Sequence, residues 1–488
     1  MLHQRLIKIL FVLIALFSIN VLAIAQENPK KPNIVFILAD DFGYGSLNSY
    51  DADKSLIRTP HIDKIADEGM RFTDASTPAS ICTPTMYGFL TGRYPWRSSL
   101  KFATTPPLGE LLPETERSTI ADWLKERGYN TSAIGKWHLG YGQGHNQDPL
   151  AFTKKLSPGP LDLGFDYHFG VPQNHDDKLG VYIENEYIYG LRSEKVHSYS
   201  RSFYGDQYIG YDAPQRVNSE VMEVLTEKAV DWVKHQTSEK PFFLYFAPVA
   251  VHHPITPSDY MRGMSGCGPY GDFIQDIDLS VGRILETLEY MNLMENTIVI
   301  FTSDNGGSIP KSGIAPENEA ENFGLKINGD FRGSKTNIYE GGTRVPLMVS
   351  WPGKVKEGST SDDLVNLVDI FATVCDITDG NLPSSKDVAP DSYSFLPSLL
   401  SNKNQHPRTS MVTANSRGMH ALRDGDWKYI DDTPPEGLPK KRSEGFKPQL
   451  YNLKDDPAET KNLYQENPEI VKKLKEKLNK IRMADFTR

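Results

Sequence analysis

Four short apolar runs, far apart along the chain, each stop at residues that bind ions or move protons. The stretch NIVFILADDFGYGS (33–46) is apolar from Ile34 to Leu38 and then reaches Asp40 and Asp41. TSAIGKWHLG ends in Lys136 and His138, PFFLYFAPVAVHHP in His252 and His253, and NTIVIFTSDNGGS in Asp304 and Asn305. A run this short, apolar at every position and followed by glycine or a loop, reads as a strand buried on both faces. Helical patterns lie between the runs, as in HIDKIADEG, TIADWLKERG and DFIQDIDLSVGRILETLEYM. Strands alternating with helices predict an α/β fold, a mostly parallel central sheet flanked by helices. Ligands bind such sheets beyond the carboxyl ends of the strands. The four polar tips are therefore expected to share one site.

With 488 residues the chain has room for one large domain and a smaller one. Residues 380–407 turn rich in Pro, Ser and Asn, which predicts a boundary. This gives a catalytic domain over 26–405 and a small C-terminal α+β subdomain over 406–488. The subdomain has antiparallel strands in MHALRDGDWKYI and PQLYNLKDDP and a closing amphipathic helix in NPEIVKKLKEKLNKIRMADF. Residues 181–211 are rich in tyrosine and read as a hairpin plus a long loop. Ordinary strand chemistry accounts for that composition, with an aromatic wall of a sugar-binding cleft as the alternative.

The N-terminus carries Arg5 and Lys8 before an apolar run, then Ala23-Ile24-Ala25. That is the form of a secretory signal peptide over residues 1–25, and Ser18 and Asn20 interrupt the run against a membrane anchor. The expectation is an exported protein, periplasmic or secreted. A net charge of −10 argues against nucleic acid as the main partner. Three cysteines, Cys82, Cys267 and Cys375, allow at most one disulfide and no disulfide framework. Cys375 fits a buried structural thiol.

Asp40, Asp41, Asp304 and Asn305 offer only oxygen donors, which select Ca²⁺ or, less well, Mg²⁺. Taken singly, Asp-Asp reads as a turn or helix cap and Asp-Asn-Gly-Gly as a turn. Lys136, His138, His252 and Lys335 around such an ion would form a pocket for a small oxyanion. His253 reads as a bystander. Cys82 lies at the start of a predicted helix, with Pro84 in its first turn, where the helix dipole favours negative charge.

The segment ICTPTMYGFLTGRYP resembles the signature of the type I sulfatases, Cys-x-Pro-Ser/Thr-Arg followed by Leu-Thr-Gly-Arg. NIVFILADDFGYG, GKWHLG, TSDNGG, YEGGTRVPLMVSWPG and LRDGDWKY…LYNLKDDPAE resemble further sulfatase segments, in sulfatase order. The resemblance implies an alkaline-phosphatase-like fold. It implies that a formylglycine-generating enzyme oxidises Cys82 to formylglycine (3-oxoalanine), held as its hydrate. Asp40, Asp41, Asp304, Asn305 and the modified Cys82 would bind Ca²⁺. Asp304 would be the base for attack on sulfur, and Lys335 and His252 would neutralise sulfate and help protonate the leaving oxygen. Lys136 would hold hydrate and sulfate, and His138 would take a proton as sulfate is expelled. Glu340 and Arg344 are expected to pair and hold the loop that carries Lys335. The chain departs from the signature at Met86, where the family has arginine; methionine supplies neither charge nor donors.

These readings converge on an exported sulfatase acting on a sulfated carbohydrate such as an algal glycan. The alternatives are a catalytically silent relative that binds sulfated glycans, favoured by Met86, and a phosphate or phosphonate ester hydrolase.

Overall fold

The computed structural model describes residues 31–488 except 145, 312–313, 379, 381, 384–385, 402–407, 432 and 434–446. The expected signal peptide and the 405/406 boundary lie outside the described residues.

The four apolar runs are strands: β1 (Asn33–Ala39), β3 (Asn130–Lys136), β5 (Phe242–Ala247) and β6 (Thr297–Ser303). Between β1 and β3 lies β2 (Gly69–Phe72), and between β3 and β5 lies β4 (Tyr167–Val171). β7 (Leu347–Ser350) completes the main set. The sheet has ten strands, with β2, β7, β6, β1, β5, β3 and β4 in that spatial order and short two- or three-residue strands at both edges. β6, β1, β5, β3 and β4 run parallel, and β7 joins β6 antiparallel. Ile34 pairs with Phe243 on one side and Ile298 on the other, so β1 is central and every one of its residues is buried.

Alternation along β1 divides two cores. Ile34, Phe36 and Leu38 join one apolar cluster, and Val35, Ile37 and Ala39 the other. Helix α1 (Pro60–Asp67) and the long helix α5 (Pro269–Tyr290) cover the second face. Helix α4 (Val221–Lys234), whose pattern was not singled out in the sequence, packs there too. Helix α2 (Cys82–Thr91) and helix α3 (Ile120–Glu126) cover the first face, where Phe89 stacks on Phe36 with ring centroids 4.1 Å apart. Cys267 and Cys375 fall in opposite cores, and all three cysteines are buried.

A four-stranded antiparallel sheet follows, β8 (Ser410–Ala414), β9 (His420–Asp424), β10 (Trp427–Ile430) and β11 (Gln449–Asn452) in sequential order. Helix α6 (Pro468–Met483) buries Val471, Leu474 and Leu478 against it. The tyrosine-rich segment departs from expectation. Beyond the hairpin of Ile183–Glu184 with Tyr187–Ile188, no long loop follows. Instead Ser193–Val196 pairs with Tyr211–Asp212, and Tyr199–Arg201 with Gln207–Tyr208. The β-rich composition makes nested ribbons here, stiffened by Tyr199 stacking on Tyr208. No helix among the described residues is long and apolar enough to cross a membrane.

Candidate active site

Because β6, β1, β5 and β3 are neighbours, their carboxyl ends meet. The Asp40 N–H donates to the Ala250 carbonyl at 3.1 Å, the Asp40 carbonyl accepts from Val251 at 2.7 Å, and the Asp304 N–H donates to Ala39 at 3.1 Å. The Asp40-Asp41 turn is thus stitched to the segments following β5 and β6. Asp41 adopts φ 57°, its N–H donates to Asp304 Oδ1 at 3.0 Å, and Asn305 Nδ2 donates to its Oδ1 at 2.8 Å. His138 (φ 51°) and Thr336 (φ 73°) are also left-handed. Each such non-glycine residue costs on the order of 1–3 kcal/mol, so backbone strain gathers at this end of the sheet. Glycine permits two close approaches. A Cβ on Gly135 would lie 2.0 Å from the Ala247 carbonyl oxygen, and one on Gly306 would lie 2.0 Å from that of Gly341.

Cys82 is the first residue of α2, and its cap residue Ile81 gives the helix no side-chain acceptor. The positive end of the helix therefore remains uncapped next to the thiol. Cys82 Sγ lies 3.8 Å from Asp40 Oδ1. Thr83 Oγ1 donates to the His138 carbonyl at 2.8 Å, which ties the end of β3 to the first turn of α2.

Each lysine grips one aspartate. Lys136 Nζ stands 2.8 and 2.7 Å from the two oxygens of Asp40, and Lys335 Nζ 2.7 and 2.8 Å from those of Asp41. His252 Nε2 is 3.7 Å from Asp41 Oδ2, while its Nδ1 is 2.7 Å from the His253 carbonyl. His253 turns aside, 3.8 Å from Glu317.

Electrostatics follow from burial and these partners. Burial pushes the Asp40 carboxyl well above its usual range; Lys136 opposes this, but Asp304 and Asp41 add to it. Asp304 is raised by burial despite Lys136. Burial, then Asp304, raises the Cys82 thiol well above its usual value. Burial works most strongly against charge on both lysines, yet the surrounding acids and the Cys82 thiol, led by Asp40 for Lys136 and Asp41 for Lys335, together outweigh it and raise both. His138 and His252 are held well below the usual histidine value by burial and by the two lysines.

Three buried carboxylates, Asp40, Asp41 and Asp304, face two ammonium groups, the buried Lys136 and the largely buried Lys335, a formal excess of one negative charge. Two oxygens, Asp304 Oδ2 and Asn305 Oδ1, are buried without a hydrogen-bond partner. An unsatisfied buried polar group costs about 1–3 kcal/mol. Asp40, Asp41, Cys82 and His252 each offer a ligand atom, all within 4.8 Å of one another. Excess negative charge, orphaned oxygens and an oxygen-dominated donor set together fit a hard divalent cation.

The structure brings Asp40, Asp41, Cys82, Lys136, His252, Asp304, Asn305 and Lys335 into contact in this cluster. His138, whose two ring nitrogens lack well-formed hydrogen bonds, lies at its α2 side. Met86, one turn beyond Cys82, is 1% exposed in the apolar cluster that holds Phe36 and Phe89.

The loop carrying Lys335 has more support than the sequence revealed. Arg344 Nε donates to Glu340 Oε2 at 2.8 Å, the expected pair. From the C-terminal sheet, Lys428 Nζ lies 2.8 Å from Glu340 Oε1 and 2.9 Å from Glu459 Oε1. Arg332 reaches Tyr451 at 3.1 Å and the Glu459 carbonyl at 2.9 Å. Asp74 receives both Arg344 and Arg423. Burial alone would push Glu340 up, but Lys428 and Arg344 outweigh it and hold the carboxyl well below its usual range. Tyr204, also missed, donates to the His253 carbonyl at 2.8 Å and sits 3.4 Å from His252 Nδ1.

Comparison with known proteins agrees with this geometry. The sulfatase family model matches residues 32–380. An N-acetylgalactosamine-6-O-sulfatase of Bacteroides thetaiotaomicron is 36% identical over 93% of this chain and 94% of its own length. The human N-acetylgalactosamine-6-sulfatase is 30% identical over 89% of this chain and 82% of its own. A solved Bacteroides thetaiotaomicron structure, from work on the metabolism of multiple glycosaminoglycans, aligns with a TM-score of 0.84 and 34% identity, covering 93% of this chain and 100% of that one. The chain belongs to the sulfatase family, within the alkaline-phosphatase-like superfamily, and is a sulfuric ester hydrolase.

Proposed function

We propose that this chain is an exported sulfatase that removes a sulfate ester from a carbohydrate, with Cys82 as precursor of formylglycine. The observation that carries the reading is the pairing of Lys136 with Asp40 and Lys335 with Asp41 beside Cys82, with orphaned oxygens on Asp304 and Asn305. Asp40, Asp41, Asp304 and Asn305 would hold Ca²⁺. When bound, the cation would neutralise charge on sulfate oxygens, and a formylglycine hydrate derived from Cys82 would supply the hydroxyl nucleophile.

The chain's own groups manage charge and protons. Lys136 and Lys335 are kept protonated by the aspartates they touch, so both meet an incoming sulfate as cations. Asp304 accepts the proton of the attacking hydroxyl. With Nδ1 tied to the His253 carbonyl, His252 presents Nε2, and with Lys335 it serves the leaving oxygen. His138, neutral and short of partners, accepts the proton released as sulfate departs.

The relatives named for N-acetylgalactosamine 6-sulfate make a 6-sulfated amino sugar in a glycan the first substrate to assay, with sulfated algal oligosaccharides as a second panel. Desulfation of defined oligosaccharides sulfated at one known position tests the reading. Release of sulfate from a 6-sulfated sugar, without release of phosphate from the matching phosphate ester, supports it. Turnover of the phosphate ester alone refutes it. Met86 favours the second reading, a silent relative that binds sulfated glycans without cleaving them; binding of every substrate with turnover of none is its signature.

A further inference from the structure

Next to the anion pocket, two aromatic side chains face solvent. Phe203 is 61% and Tyr204 41% exposed, side by side on one turn. The turn is built, not loose. Ser202 and Asp206 close it with a backbone hydrogen bond of 2.9 Å, and Gly205 donates back to Ser202 at 3.0 Å. Asp176 anchors it from beneath, accepting from the Phe203 N–H, from the Tyr208 hydroxyl and, at 2.7 Å, from Asn218. The two rings meet edge to face with centroids 5.3 Å apart. Phe203 lies 5.5 Å and Tyr204 6.0 Å from the His253 ring. The Tyr204 hydroxyl points inward to the His253 carbonyl and His252. Burial raises its pKa, and Lys335, Asp40 and Asp41 all act on it, so its oxygen is part of the pocket wall while its ring stays at the rim.

We infer that Phe203 and Tyr204 form the platform on which the pyranose ring carrying the sulfate lies. The inference rests on the proposed function and deepens it. His252 is the group assigned to the leaving oxygen, and the sugar is bonded directly to that oxygen. The ring must therefore sit within one or two bonds of that leaving oxygen, beside the imidazole whose other edge the Tyr204 hydroxyl meets at 3.4 Å. A pyranose presents an apolar C–H face that an exposed aromatic ring covers well, with its hydroxyls left to water and polar neighbours. Phe203, which has no polar atom, contributes area alone. Tyr204 is also a positioning residue, because its hydroxyl shares the His253 carbonyl with His252 Nδ1.

The test uses Phe203→Ala and Phe203→Trp in the mature enzyme, with three readouts. The first is KM and kcat on the sulfated sugar. The second is the inhibition constant of inorganic sulfate, which needs the anion pocket but not the platform. The third is NMR-detected binding of the desulfated sugar product, which does not depend on turnover. Phe203→Ala should raise KM about ten-fold with kcat within a few-fold, weaken product binding in step and leave sulfate inhibition unchanged. Phe203→Trp should restore KM and product binding. Unchanged product binding in Phe203→Ala overturns the platform, as does a sulfate inhibition constant that rises along with KM. Absence of desulfation by the wild-type enzyme refutes the proposed function instead, and product binding still decides the platform.

Discussion

Replacing Lys428 with methionine removes the cation that Glu340 and Glu459 share, at distances of 2.8 and 2.9 Å, from a side chain only 2% exposed. The local network is balanced. Asp74, Glu340 and Glu459 face Arg344, Arg423 and Lys428, three charges of each sign. In the variant Glu340 keeps Arg344, but Glu459 loses its cation and the network carries one surplus negative charge. Breaking a buried pair by removing one partner costs about 3–5 kcal/mol. Protonation of Glu459 limits the loss, since burial and Glu340 already raise its pKa. For an acid whose folded-state pKa is raised, the neutral form favours the fold below that pKa, and the advantage fades as pH rises through it. Each pH unit below the variant's Glu459 pKa returns about 1.4 kcal/mol. The melting temperature should therefore fall on the order of 5 °C at pH 8 and visibly less at pH 5. Because Glu340 backs the loop of Lys335, kcat/KM on a sulfate ester should fall at least about ten-fold at pH 8. Melting curves and initial rates at both pH values check this. An equal drop in Tm at pH 5 and pH 8, or an intact kcat/KM beside a large drop in Tm, would refute the coupling of this network to the site.

Asp278 accepts the His61 and Ile62 N–H groups at the start of α1, and burial pushes its carboxyl up to about 7. Asp278→Asn keeps the acceptor and removes the ionisation, so relative to the wild type it should gain stability between pH 5 and pH 8, by no more than ~4 kcal/mol; melting midpoints across that range check it. Gly306→Ala should cost on the order of 100-fold in kcat and also lower Tm, as initial rates and melting curves would show, because the new Cβ meets the Gly341 carbonyl at 2.0 Å and forces the backbone of Asn305 or the Lys335 loop to shift. Ca²⁺ added to chelator-treated protein should raise Tm, by the equivalent of about 2.7 kcal/mol at one hundred times Kd. Asp304→Asn, which cancels the excess buried charge, should be at least as stable without Ca²⁺ and gain less from it, as measured by calorimetry.

Much of the site was legible because strand ends are local. A buried strand shows as an unbroken apolar run, and the residue after it is fixed by chain continuity, so Asp40, Lys136 and Asp304 could be placed from sequence. Cys82 was legible from its helix start. The order β6, β1, β5, β3 was not, since nothing along the chain specifies which strands become neighbours. Lys428 and Glu459 were not singled out, since only the antiparallel pairing of β9, β10 and β11 brings Lys428 inside. Tyr204 was hidden in a segment whose tyrosines serve the ribbons as well as the pocket, as the stacking of Tyr199 on Tyr208 illustrates. Glu340 and Arg344 were found because four residues apart on a helical turn is a local relation.

The central claim is that position 82 is chemically converted and that the acids and lysines around it serve the product of that conversion. Mass spectrometry of the peptide from Phe72 to Arg93, taken from protein made in a host with a formylglycine-generating enzyme, reads this directly. The account predicts the aldehyde or its hydrate at Cys82, in proportion to the sulfatase activity of the preparation. A free thiol at full occupancy in a preparation that still cleaves sulfate esters would contradict it.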